Sequence, residues 1–396
     1  MTNAIFDLSN MFFRSLFIVG GYGSKQYTFD NQTELDQLMR KVATDVSQVI
    51  RTINPSRVIF ALDSKSWRKE ISIDENEGYK AQRTKSAHIN WDNVFKIMGE
   101  FADILETNGF IISKFDRAEA DDLIALWRKE LLINQNQHVI IVSADEDVRQ
   151  LVGGTHDIPG ISVNPDKFAF CTVYNPFMQG KNAFKKLFVP EKYFDEWVLD
   201  ADPGDFFNRG VNVDKEDFKR IINDSKTKLE KINGDQIVLR KIFCGDDGDN
   251  VPAIYTWLND KGKEVRITDS KFEKIIDYIG ATSPHDLMEK KDHIYDQLVN
   301  ISGTRPGFKM EDRLTRQFKL VLLDSSIFPE EFVKSFEKKV PEELAKPQVH
   351  PQNWNMVSVL EGTRYVTTGA GKYKKPTTEA SIFGEIDRIN LNKALF

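Results

Sequence analysis

Cysteine is nearly absent. The two residues Cys171 and Cys244, in a chain of 396, cannot form a disulfide framework or a thiolate-held zinc cluster. A reducing compartment is therefore the default, and any metal site must rely on other ligands. Long apolar runs are also missing, since stretches such as 138–144 and 318–323 fall far short of the roughly 20 residues that span a bilayer. The N-terminus lacks the charged-then-apolar pattern of a secretory signal. The expectation is a soluble, cytoplasmic protein with no membrane partner. Excess positive charge is missing too: 54 Lys and Arg stand against 60 Asp and Glu, a net charge of −6. That balance excludes indiscriminate adhesion to nucleic acid or to anionic lipid. No Gly-x-x-x-x-Gly-Lys-Ser/Thr loop occurs, which argues against P-loop nucleotide chemistry. Aromatic residues are plentiful, with 28 Phe and 6 Trp in a composition 40% hydrophobic, so the chain has the material for a folded core. Its length suits two or three domains, or one large domain with appendages.

Short apolar runs at 4–6, 57–62, 110–112 and 139–143 read as buried strands, and helical patterns fall at 35–50 and 91–105. This alternation predicts an α/β fold with a central, mostly parallel sheet covered by helices. The proposed divisions are a core over 1–152, an aromatic-rich insertion over 153–241 that completes it, a mainly helical subdomain over 242–339 and a tail over 340–396. Helices are expected at 215–231, 270–279 and 330–339. From Val340 the composition shifts towards Pro, Gly, Thr and Lys, which predicts an extended segment.

The informative pattern is where the apolar runs stop. They end at Asp7, Asp63, Asp116 and Asp145, with Asp147 two residues further on. In an open parallel sheet such positions share the edge beyond the carboxyl ends of the strands, where these folds bind ligands. Crowded carboxylates repel one another unless a cation neutralises them, and hard oxygen ligands suit Mg²⁺ or Mn²⁺. Glu119-Ala120-Asp121-Asp122 opens an amphipathic helix containing Leu123, Ile124, Trp127 and Leu131. Helix capping, with Asp116 as N-cap and Glu119 as its partner, explains two of these acids; Asp121 and Asp122 favour metal ligation. A second acidic knot, Gly245-Asp246-Asp247-Gly248-Asp249-Asn250, is an Asx-rich turn if taken alone.

Taken in order and spacing, Asp7, Asp63, Glu119–Asp122, Ser143–Asp147 and Gly245–Asn250 resemble the 5′-nuclease (flap endonuclease) superfamily, most of all its ribonuclease H branch from T-even bacteriophages. Ala61-Leu62-Asp63, Trp67-Arg68-Lys69, Tyr79-Lys80-Ala81-Gln82-Arg83 and Leu320–Asp324 support the match, which covers about residues 1–335. The resemblance implies a PIN-like 5′-nuclease core, a helical arch over about 64–90 and a helical duplex-binding C-terminal subdomain. It implies two Mg²⁺ ions, with Mn²⁺ as a substitute. Asp7, Asp63, Glu119, Asp121, Asp122 and Asp145 correspond to the first-metal cluster; Asp147, Asp246 and Asp249 correspond to the second. Lys80 and Arg83 match basic residues beside the scissile phosphate, Tyr79 matches a base-stacking position, and Arg14 a phosphate contact.

The family's Gly-x-Gly helix–turn is replaced here by residues 253–267, so duplex contacts pass to Lys261, Lys263 and Arg266. The implied activity is 5′-to-3′ exonuclease and 5′-flap cleavage by a monomer acting on DNA and RNA–DNA duplexes, in removal of primers and flaps during phage DNA replication. A sliding clamp, held through Leu395 and Phe396, and a single-stranded-DNA-binding protein are the implied partners. Two other readings remain: a PIN-type ribonuclease acting on single-stranded RNA, and a non-catalytic protein that binds branched DNA. Setting the nine acidic ligands aside leaves 51 acids against 54 bases, a balance of +3, so the acidic excess is local to the proposed site.

Overall fold

A computed structural model describes residues 2–20, 27–74, 77–83, 85–154, 169–177, 184–191 and 227–346. At its centre lies a mostly parallel sheet. Its strands are β1 (Thr2–Asp7), β2 (Arg57–Ala61), β5 (Ile111–Ser113), β6 (His138–Val142), β7 (Gly153–Gly154), β8 (Phe170–Asn175), β9 (Lys185–Pro190) and β10 (Thr227–Ile232). The spatial order is β10-β9-β8-β6-β1-β2-β5, with β7 on β8. β8 meets β7 and β9 antiparallel, whereas β1, β2, β5, β6 and β8 pair in parallel. Every residue of β1 and of β6 is buried, as expected where helices cover both faces.

On one face pack α1 (Leu8–Gly20), α2 (Gln32–Ile53) and α3 (Trp91–Thr107), enclosing Phe6, Phe60, Leu38 and Phe101. On the other lie α4 (Ala120–Arg128) and α10 (Glu330–Ala345), where Trp127 meets Phe336 edge to face at 5.1 Å. A third core joins α5 (Gly234–Cys244), α6 (Asp269–Ile279), α7 (Pro284–Glu289), α8 (Lys291–Ser302) and α9 (Met310–Val321). β11 (Thr256–Leu258) and β12 (Glu264–Arg266) form a hairpin beside it.

The register explains the edge. Asp7 lies beside Ala61, and Phe6 beside Val142, so β1, β2 and β6 end at one level and their following residues share one rim.

Four expectations need correction. Residues 64–90 contain no α-helix among those described: a 3₁₀ turn, Trp67–Glu70, leads into a ribbon of β3 (Ser72–Asp74) and β4 (Glu77–Gly78). Trp67 and Arg68 are pulled into the core, which interrupts any solvated helix there. Residues 227–231, expected to be helical, belong to β10, an edge strand beside β9 whose exposed lysines gave the stretch its helix-like charge pattern. The final helix does not stop at 339. It runs through Pro341 to Ala345, anchored by buried Phe336 and Val340. The N-cap of α4 is Glu119, not Asp116; Asp122 accepts the Glu119 backbone N–H at 3.1 Å, completing the capping box three residues later than expected.

Candidate metal centre

Asp7 ends β1 almost fully buried. Its carboxylate accepts from the Asn10 backbone N–H and from the Ser143 hydroxyl, both at 2.9 Å. Asp63, just past β2, donates its N–H to Ser9 Oγ at 2.9 Å and accepts the Ala120 N–H at 2.7 Å, which ties the first turn of α4 to the strand edge. Asp145 follows β6; its N–H donates to Ser143 Oγ at 3.0 Å, and its carboxylate accepts the Asp147 N–H at 3.0 Å. Asp121 faces these groups from the first turn of α4.

Burial and mutual repulsion govern this group. Burial, then the charges of Asp63 and Asp145, push the Asp7 carboxyl up to about 8. Burial, then Asp145, Asp7 and Asp147, hold Asp121 well above the ordinary carboxylate range. Asp63 opens to solvent at the mouth of the cleft, yet the surrounding protein desolvates it and Glu119 repels it. Its carboxyl is raised as well, although the Ala120 N–H and Lys80 oppose the rise.

Asp147, Asp246 and Asp249 face the same cleft under a different regime. Asp147 opens a 3₁₀ turn, Asp147–Leu151, and Asp246 and Asp249 lie in the loop after α5. Two glycines set this approach. A Cβ on Gly234 would fall 2.4 Å from the Gln150 carbonyl oxygen, so only glycine lets α5 start against the 3₁₀ turn. Gly245, with φ of +79°, ends α5, and a Cβ there would lie 2.6 Å from the Val251 carbonyl oxygen. Cations then close on the acids. Lys241 pairs with Asp147 and, at 2.5 Å, with Asp246. Arg83 pairs with Asp249; Lys80 reaches Asp249 at 3.5 Å and Glu119 at 2.6 Å. Burial raises Asp147 to about 6 despite Lys241. Asp246 is lowered, because Lys241 and backbone N–H groups outweigh its burial.

Behind α4 lies a buried clamp that sequence reasoning did not assign. Arg68, 2% exposed, pairs with Asp122 at 2.7 Å and Glu119 at 3.3 Å, lies over Trp67, and donates to the Lys319 carbonyl at 3.1 Å. Asp122, expected as a metal ligand, is fully buried and spends its oxygens on Arg68, on Trp67 Nε1 at 3.1 Å and on the Glu119 N–H. It faces away from the cleft. Glu119 bridges the two zones: Oε1 meets Lys80, and Oε2 meets Ser66 and Arg68. Against burial, Lys80 and Arg68 keep its carboxyl below the ordinary range. Tyr79 cannot stack on a base as expected. Its ring is 5% exposed in the third core, and its hydroxyl donates to Asp249 at 3.0 Å.

The other expected contacts lie further out. Arg14 is half-buried on α1 over the Phe177 ring. Lys261 and Lys263 are exposed at the turn of the β11–β12 hairpin, and Arg266 forms a two-pronged ion pair with Asp247 at 2.6 and 3.0 Å. Leu395 and Phe396 lie outside the described residues. Lys241 was missed altogether; its signal was a lysine one turn before Gly245-Asp246 on a helix that ends at the acidic loop.

Among the described residues, no three His, Cys, Asp or Glu side chains are arranged to surround a single ion, and Lys80, Arg83 and Lys241 draw the oxygens of Glu119, Asp249 and Asp147 to themselves. The donor chemistry nevertheless suits one kind of ligand. Buried carboxylates that repel one another offer hard oxygens to a divalent cation, whose charge would relieve the repulsion. Neither cysteine competes, since burial raises both thiols to about 11. Among the described residues no helix is long and apolar enough to cross a membrane.

Residues 2–175 match the family model described as 5′-3′ exonuclease, N-terminal resolvase-like domain. A 5′-3′ exonuclease of Mycoplasmopsis pulmonis (strain UAB CTIP) is 27% identical over 191 residues, 48% of this chain and 50% of the relative. The chain thus spans about half the length of that curated relative. Among solved structures, the D15 protein of bacteriophage T5, co-crystallised with metal ions, is 16% identical over 87% of this chain and 99% of its own, with a TM-score of 0.49. The T5 D15 flap endonuclease in a pseudo-enzyme-product complex with DNA and metal ions is 17% identical over the same shares, also at 0.49. Residues 2–175, which carry Asp7, Asp63 and Asp145 at one sheet edge and Asp121 on the facing turn of α4, are thus similar to a 5′-3′ exonuclease N-terminal domain.

Proposed function

We propose that this chain is a divalent-metal-dependent 5′-nuclease, acting as a 5′-to-3′ exonuclease and 5′-flap endonuclease on DNA and RNA–DNA duplexes, with Mg²⁺ as its working ion. The observation that carries the reading is the self-repelling carboxylate edge inside the matched domain, with Asp7 at about 8. Asp7, Asp63, Asp121 and Asp145 would hold one ion, with Glu119 at the rim; Asp147, Asp246 and Asp249 would hold the other. Such ions lower the pKa of an attacking water and stabilise charge on the phosphodiester.

The chain's own residues supply the rest. Lys80 and Arg83 stand over the cleft at Glu119 and Asp249, where fixed cations stabilise negative charge developing on the scissile phosphate. Lys80 adopts φ of +57° and donates its N–H to the Asp249 carbonyl at 2.9 Å, which holds this turn against the acidic loop. Lys261 and Lys263 on the hairpin would follow duplex phosphates. Removal of RNA primers and 5′ flaps in phage DNA replication is the cellular role that suits this chemistry. The Gly245–Asn250 loop, seated against the strand edge, favours a 5′-nuclease over a PIN-type ribonuclease.

The test is cleavage of an end-labelled 5′-flap duplex in Mg²⁺. Wild type should cut it. Asp145→Ala and Asp246→Ala should each lose cleavage while keeping their circular dichroism spectra. Full activity in either variant would refute the assignment of its cluster.

A further inference from the structure

Lys241 has no part in the chemistry proposed above, yet it sits where a cation is needed. It occupies the last turn of α5, whose Val238, Leu239, Ile242 and Phe243 are buried, so its backbone is fixed. Its ammonium bridges Asp147 and Asp246, carboxylates from the 3₁₀ turn after β6 and from the loop after α5, and its side chain is only 16% exposed. A divalent ion held by both aspartates would need oxygens that Lys241 now uses. A lysine brings one charge to two carboxylates, leaving the pair undercompensated, and its four-carbon stem can swing away while the helix stays in place.

We propose that Lys241 is a tethered competitor for the second metal ion. It keeps the Asp147–Asp246 pair together without metal, and it leaves when a divalent ion enters and a substrate phosphate offers the ammonium a new partner. Second-ion loading is thereby coupled to nucleic-acid binding. This inference rests on the metal-dependent reading above. Lys241 acts through Asp147 and Asp246, so it is a positioning residue.

The test is Mn²⁺ binding to the full chain, followed by the electron paramagnetic resonance signal of free Mn²⁺, with and without a 5′-flap duplex. In wild type the weaker site should tighten when DNA is present. In Lys241→Gln, which removes the charge and keeps a polar side chain, the weaker site should bind about tenfold or more tightly without DNA, as expected for removing a like charge a few ångströms away. It should then lose its dependence on DNA. Lys241→Arg, which retains the charge, should stay near wild type. Equal affinity of the weaker site in wild type and Lys241→Gln overturns the proposal alone. Absence of Mn²⁺ binding in all three proteins overturns the metal-dependent reading with it.

A second measurement covers a variant that fails to fold. In wild type, acylation of Lys241 followed by mass spectrometry should be slow without metal and faster with saturating Mn²⁺. Unchanged protection at saturation contradicts displacement.

Discussion

The two halves of the acidic cleft solve the same electrostatic problem in opposite ways. Around Asp7, Asp63, Asp121 and Asp145 the carboxylates repel one another with little countercharge, and the strained balance shows as raised pKa values. Around Asp147, Asp246 and Asp249 the chain supplies its own cations, Lys241, Lys80 and Arg83. On the metal-dependent reading, the first half would call for an external cation, and the second would have to release internal ones. The difference follows from position. The first group is fixed by strand ends and the start of α4, where backbone N–H groups and the Ser143 hydroxyl, rather than cations, donate to the carboxylates. The second group sits between α5 and the Tyr79–Arg83 turn, both of which present lysine or arginine.

The largest effect should come from removing the cation that belongs to neither half. Arg68→Met leaves Asp122 buried and unpaired, and should destabilise the protein by about 3–5 kcal/mol, read from urea denaturation. A loss below about 1 kcal/mol would mean that the clamp is not the structural support of Glu119. Next, Lys80→Met should lower kcat on a 5′-flap by on the order of 10²–10³-fold, since it deletes a fixed cation over the reacting phosphate. An unchanged kcat would confine Lys80 to holding Glu119 and Asp249.

Much of the first half was legible in the sequence, and much of the second was not, for a physical reason. Strand-end aspartates are visible because apolar β-strand runs stop at them, and parallel register places such ends together. Ion-pair partners come from remote segments and leave no local pattern. Arg68, within Trp-Arg-Lys-Glu, has the look of a surface charge, and only the fold shows that α9 and Phe328 cover it. Tyr79 was misread because an aromatic residue beside Lys80 suits base stacking and core packing equally well. The cap of α4 was placed at Asp116 because spacing alone cannot tell which of two successive acids begins the helix.

The smallest of the mutational effects sharpens the first half. Asp7 has a folded-state pKa of about 8 against an ordinary value of 3.8. A raised carboxyl destabilises the fold increasingly as pH climbs from about 4 to about 8, because the folded state retains the proton that the unfolded state loses. Asp7→Asn should therefore stabilise the protein in chelator at pH 8, to the extent that lost hydrogen bonding to Asn10 and Ser143 does not offset the relieved repulsion, with little difference near pH 4. Thermal melts across that range check it. A variant less stable than wild type at pH 8 would show that the hydrogen bonds from Asn10 and Ser143 outweigh the repulsion.

The central claim, that this edge is built to take a divalent cation, is tested most directly by melting the wild-type chain with and without Mg²⁺ between pH 6 and 9. Protons and metal compete for the same oxygens, so the Mg²⁺-induced rise in Tm should grow with pH, reach several degrees by pH 9 at saturating ion, and disappear in Asp145→Ala. A rise that is absent from wild type, or that persists undiminished in Asp145→Ala, would contradict the account.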